Sequence, residues 1–215
     1  MNKKFITLFS IALIISINVL PAAMTADDLF TAVAQGKVER AQEIIRQKGG
    51  HVFIHALDAH GRTPLHIAAL NGHPACIDLL ITNGARVDDP GTQEYTPLHC
   101  AAANGHAKCV LILMHYRADI NAVAKHKTPL MIAAINDHEK CVQLLLAANA
   151  DPTYTPIISS NHFYSTAFHT PEKQARYKGF TKIERRLREA RERQEAEEKA
   201  LQNSAPSNWL NWLFS

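Results

Sequence analysis

The sequence predicts an all-α repeat solenoid of about four helix pairs, followed by a charged helix and a tail. Three observations predict it. One eleven-residue phrase recurs in phase, as TPLHIAALNGH at 63–73, TPLHCAAANGH at 96–106 and TPLMIAAINDH at 128–138, offset by 33 and 32 residues. Each copy is followed by a second apolar run, CIDLLITNGA, CVLILMHYRA and CVQLLLAANA. Two helices this short cannot bury their faces alone, so such units must stack on one another.

In chain order, the first element is not part of the stack. Asn2-Lys3-Lys4 leads into sixteen uncharged residues, Phe5–Leu20, and then into the small residues around Ala22, Ala23 and Ala26. A positive start, a short apolar run and a small-residue end describe a secretory signal peptide over 1–26. The run falls short of the roughly 20 apolar residues of a spanning helix. Cleavage is expected after Ala23 or after Ala26, with an uncleaved membrane anchor through 5–20 as the alternative. The expected location is periplasmic or secreted.

The stack follows over 27–152, with repeats at about 27–58, 59–91, 92–123 and 124–153. Within one repeat each residue type has a local reason. Thr63 can cap a helix and Pro64 suits its first turn, where no amide hydrogen is needed. Ala68 and Ala69 allow a neighbouring helix to come close, and Gly72 suits the left-handed residue that ends the helix. Ile77, Leu79, Leu80 and Ile81 begin a second apolar helix. The first unit, DDLFTAVAQGK at 27–37, is a degraded copy. Its polar outer residues Lys37, Glu39, Arg40, Gln42 and Glu43 fit a terminal cap.

These phrases resemble ankyrin repeats, as do the endings NGARVDD, RADINA and NADPT, over about 125 of the 215 residues. The resemblance implies helix pairs joined by projecting loops, a protein-binding surface and no intrinsic catalysis. It puts partner contacts on the loop tips and the concave first-helix face: His60, Arg62, Leu70, Asn71, Gln93, Tyr95, Ala103, Asn104, Lys125, Lys127, Ile135 and Asn136. Arg62 and Tyr95 are the favoured anchors, since arginine and aromatics dominate binding hot spots. The alternative for Tyr95 is packing on its own loop. Four departures stand out. Glu94 and His126 occupy loop positions where the family favours glycine, which implies distorted loops. Met131 replaces the TPLH histidine, and Asp137 replaces the glycine between helices.

The chain has 23 Lys and Arg against 20 Asp and Glu, a formal charge of +3, and is 47% hydrophobic. That composition excludes wholesale disorder, and so small a charge gives no reason to invoke nucleic acid. Cys76, Cys109 and Cys141 share one repeat position. Packed helices lie about 8–10 Å apart, beyond the roughly 7 Å Cα separation a disulfide tolerates. They therefore read as small core hydrophobes, and a Cys100–Cys109 contact is the conceivable exception. Twelve histidines invite a metal, but His66 and His99, and likewise His73, His106 and His138, recur at the stacking interval. Ligands must converge on one ion, and such ladders do not. No metal, cofactor or catalytic residue is expected.

Beyond Pro152 the repeat stops. Residues 153–180 show no period and read as an irregular segment whose aromatics cover the last repeat, with a decayed fifth repeat as the alternative. Thr181-Lys-Ile-Glu184 reads as a capping box opening a charged helix over 181–203. Its apolar stripe of Ile183, Leu187, Ala190 and Leu201 suggests a solvated helix. The tail, 204–215, crowds Trp209, Leu210, Trp212, Leu213 and Phe214 together. It would dock on the body, bind a partner or touch a membrane surface through Trp209, Trp212 and Phe214. Another protein is the expected partner of a monomeric chain. A membrane-tethered or host-directed effector that recruits a target through the repeats is the second reading.

Overall fold

The computed structural model of the chain describes residues 24–47, 49–155 and 170–204. The signal-like start, Phe163, Tyr164, Phe168 and the aromatic tail lie outside these residues. Among the described residues, five antiparallel helix pairs stack in order. They are α1 (Ala26–Ala34) with α2 (Val38–Arg46), α3 (Pro64–Asn71) with α4 (Pro74–Thr82), and α5 (Pro97–Ala103) with α6 (Ala107–His115). Then come α7 (Pro129–Ile135) with α8 (Glu139–Ala147), and α9 (Pro171–Tyr177) with α10 (Thr181–Ser204). The first helices of successive pairs touch one another, and so do the second helices, giving two layers. Among the described residues, no helix is long and apolar enough to cross a membrane.

The core is the repeat pattern turned inward. Leu65, Leu98 and Leu130 hold one register of the inner layer, and Leu80, Leu113 and Leu145 one register of the outer layer, all fully buried. Each contributes about 1.5–3 kcal/mol by leaving water. Ala68, Ala69, Ala101, Ala102, Ala133 and Ala134 are fully buried where inner helices meet, because a methyl group is what the close approach leaves room for. Cys76, Cys109 and Cys141 are buried free thiols, and Cys100 is a half-buried one.

Hydrogen bonds join the units in two directions. His66 Nδ1 accepts from the Thr63 amide at 3.2 Å, and its Nε2 donates to the Tyr95 carbonyl at 2.7 Å in the next unit. His99 repeats this with Thr96 and the Lys127 carbonyl. Running the other way, His73, His106 and His138 place Nε2 3.0 Å from the carbonyls of Ala34, Leu70 and Ala103, at the ends of the preceding inner helices. Otherwise orphaned helix-end carbonyls are thus satisfied by the neighbouring unit.

Three expectations are corrected. At Glu94 and His126 the left-handed backbone is kept without glycine, φ 66° and 63° against 71° at Gly61, but the third loop does differ in shape, since Lys125 is left-handed too at 45°. The third loop closes as a tight hairpin, Ala124 and Lys127 exchanging hydrogen bonds of 2.9 Å around Lys125 and His126. Second, the stretch 153–180 is not irregular throughout, because Pro171–Tyr177 is helical and packs on α7. Thr170 caps it by accepting from the Lys173 amide at 3.3 Å. Third, the charged helix is not solvated along its whole length. Ile183 and Leu187 are buried against the stack, and Arg186 pairs with Glu139 at 3.1 Å. Thr181 lies inside α10, and Glu184 takes Arg176 at 2.7 Å in place of a capping contact. Glu172, in the register of Leu65, is also buried but paired with Arg191 at 2.9 Å and Arg176 at 3.2 Å. A charged pair network therefore closes this end of the stack.

Candidate functional site

The loops between pairs are built from short-range polar contacts. In the first, the Asp58 carboxylate accepts from the amides of His60 and Arg62, each at 2.9 Å, and from Arg62 Nε and Nη2 at 2.9 and 2.7 Å. Burial raises the Asp58 carboxyl, but these bonds outweigh it and hold it below the usual carboxylate range. The second loop is tied to the first: the Thr92 amide donates to the Gly61 carbonyl at 2.9 Å and Gln93 Nε2 to the His60 carbonyl at 3.3 Å. Arg62 is thereby oriented by its own loop, with its guanidinium fork already filled on one side.

These contacts open a concavity of about 220 Å³. It gathers five of the expected contact residues, His60, Arg62, Leu70, Gln93 and Tyr95, together with Pro90 and Cys100. Tyr95 does two things. Its ring meets the His99 ring edge-on at 5.6 Å, which is packing on its own unit, and its exposed part lines the concavity. Lys125, on the third loop and outside the lining, places Nζ 5.3 Å from the Tyr95 ring centroid. The other expected residues are not in the concavity. Lys127 is an exposed loop residue whose carbonyl serves His99. Asn71 ends α3, and Asn104 and Asn136 directly follow α5 and α7, all three exposed, beside half-buried Ala103 and Ile135. Asn136 Nδ2 donates to the Ala103 carbonyl at 2.9 Å.

Cys100 and Pro90 are additions that the repeat pattern did not flag. Cys100 sits one turn before Ala103 on the same helix face, and that spacing was the available signal. Its thiol is pushed up to about 11 by burial, which Arg62 only partly opposes, so it is protonated at neutral pH. Among the described residues, no three His, Cys, Asp or Glu side chains stand close enough to hold a metal ion. What the surface offers is an aromatic ring, a fixed guanidinium and an aliphatic floor, the chemistry of recognition.

The family description "ankyrin repeats (3 copies)" matches residues 29–124 and again 88–156. The chain belongs to the ankyrin-repeat family. Ankyrin repeats bind other proteins and are not, as a family, enzymes. Shorter matches agree with the assignment. A 35-residue stretch is 51% identical to the E3 ubiquitin-protein ligase XB3 of Oryza sativa subsp. japonica, covering 16% of this chain and 8% of that protein. A 57-residue stretch is 35% identical to the transient receptor potential cation channel subfamily A member 1 of Homo sapiens, covering 26% of this chain and 5% of the channel. This ankyrin-repeat chain thus corresponds to a small part of either relative.

Proposed function

We propose that this ankyrin-repeat chain is an exported adaptor that holds another protein against its loop tips and concave inner-helix face. The observation that carries the reading is the concavity, where two loops and two inner helices bring His60, Arg62, Leu70, Gln93 and Tyr95 together. Asp58 orients Arg62 before any partner arrives, so less ordering cost is left to binding. Export rests on the composition of residues 2–26. Cleavage after Ala23 is favoured over Ala26, since it keeps Thr25, whose hydroxyl and Asp28 form the capping box of α1.

The test is a photo-cross-linking side chain placed at Gln93, on the second loop, or at Lys108, on the exposed side of α6. The partner is expected to cross-link from position 93 and not from 108. Cross-linking from 108 alone would sink this placement. N-terminal sequencing of the mature protein is expected to start at Met24, and an intact Met1 overturns export by cleavage.

A further inference from the structure

We propose that Asn104 is a site of spontaneous deamidation, in which the Gly105 amide attacks the Asn104 side chain and leaves a carboxylate, and in part a lengthened main chain, at the end of α5.

The chemistry starts from the sequence. The chain contains three Asn-Gly pairs, Asn71-Gly72, Asn83-Gly84 and Asn104-Gly105. All three asparagines are exposed. Glycine carries no Cβ, so the nitrogen that follows each asparagine is uncrowded. That nitrogen can attack the asparagine Cγ. As the new bond forms, the nitrogen loses its proton and Nδ2 leaves as ammonia, which closes a five-membered imide. Water then opens the imide at either carbonyl carbon. One opening gives aspartate. The other gives isoaspartate, in which the main chain runs through the former side chain. Water is consumed, ammonia is released, and nothing is oxidised or reduced.

The structure separates the three pairs by what each must give up to react. At Asn83 both ends are held. The Gly84 amide donates to the Ile81 carbonyl at 2.9 Å, and Asn83 Nδ2 donates to the Leu79 carbonyl at 2.8 Å. At Asn71 the attacking nitrogen is held, since the Gly72 amide donates to the Ala68 carbonyl. Among the described residues, the Gly105 amide has no acceptor. Its counterparts in the other units do: Gly36 donates to Val33 at 3.0 Å and Asp137 to Ala134 at 3.4 Å. Only the leaving group is held at Asn104, where Nδ2 donates to the Cys100 carbonyl at 2.9 Å. The next bond along is common to all three pairs and does not discriminate. His73 donates to Ala68 at 2.9 Å, Ala85 to Leu80 at 2.9 Å and His106 to Ala101 at 3.0 Å. Releasing an amide from a hydrogen bond changes its availability roughly two- to tenfold.

The product alters the stack as well as the surface. Asn104 lies two residues before His106, whose Nε2 is 3.0 Å from the Leu70 carbonyl of the preceding unit. The isoaspartyl form adds one main-chain atom between α5 and α6 and moves that histidine off its acceptor.

The experiment ages the native full chain in mildly alkaline buffer, with the same chain unfolded in urea as reference. Each Asn-Gly peptide is followed by mass spectrometry, and isoaspartate is read by labelling with an isoaspartyl methyltransferase. In urea the three pairs should react at similar rates. In the native chain Asn104 should react about threefold or more faster than Asn71 and Asn83, and Asn104→Gln should remove the early product. A native lead by Asn71 or Asn83, equal native rates at the three pairs, or no native reaction at Asn104 overturns the site.

Discussion

His66 Nε2 lies 2.7 Å from the carbonyl oxygen of Tyr95, 29 positions along the chain. Its other ring nitrogen accepts from the Thr63 amide, so the proton must sit on Nε2 and the ring must be neutral. Burial lowers His66 and His99 below the ordinary value of 6.5. A depressed histidine means that the unfolded chain binds the extra proton, so stability is full above about pH 6.5 and falls as pH drops below it. Thermal unfolding at constant salt should show a midpoint falling between pH 7 and pH 5. A His66→Leu, His99→Leu variant should be less stable at pH 7 and show a flatter slope. An equal slope in parent and variant counts against this.

Left-handed residues other than glycine are a second source of testable strain. Glu94 has φ 66° and an exposed side chain, so Glu94→Gly removes a Cβ penalty without emptying the core. Left-handed backbone costs about 1–2 kcal/mol for a residue with a Cβ. Part of this is returned through glycine's unfolded-state freedom. Denaturant unfolding should show a gain of about 0.5–1 kcal/mol.

Gly72 is the opposite case. It has φ 74°, and a Cβ there would meet His106 Nδ1 at 2.6 Å. Gly72→Ala should therefore cost more than Glu94→Gly gains. His106→Ala should recover part of that cost in a double-mutant cycle, because it removes the clash while leaving the backbone penalty. Simple additivity would refute the contact. Asp137 holds the same position in the fourth unit at φ 61°, and Phe180 stands where the next histidine would be.

The thiols should be inert. Burial pushes Cys76, Cys109 and Cys141 up to about 11, and thiolate is the reactive form. A thiol reagent at pH 7.5 should label these three only on unfolding, as read by mass spectrometry of the native protein. Rapid native labelling of any of them contradicts the packing described.

The C-terminal pair should be separable in stability. Leu187 is fully buried, and Leu187→Ala should cost about 2 kcal/mol or more. Hydrogen exchange should speed up in α9 and α10 while α3 to α6 stay protected. Uniform loss across the stack would mean a single cooperative unit.

Most of the fold was legible because TPLH, the alanine pairs and the apolar second runs serve two neighbours each, and so recur. The fifth pair was legible only as the alternative of a decayed repeat, because an end unit has one neighbour. Glu172, Lys173 and Arg176 replace Leu65, His66 and Ala69, and the hydrophobic period vanishes with them. What remains is Thr170-Pro171 and, nine residues after the threonine, Gly179, the same frame as Thr63-Pro64 and Gly72. Residue type alone does not decide φ at Glu94 and His126, both of which take the left-handed backbone that glycine favours. Of the site, the loop positions of Arg62 and Tyr95 followed from the repeat. The Asp58 fork on Arg62 did not, because it depends on how the loop folds back on itself.

The forward histidine link is present at His66 and His99, but Met131 holds that position in the fourth unit and has no imidazole to offer the fifth. Pulled from its two ends, the stack has a seam. The last pair is held by Lys178, by Arg186 and by its apolar contacts, without the imidazole rivet. The molecule should tear there first, shedding α9 and α10 in one step while the remaining units stretch together like a spring.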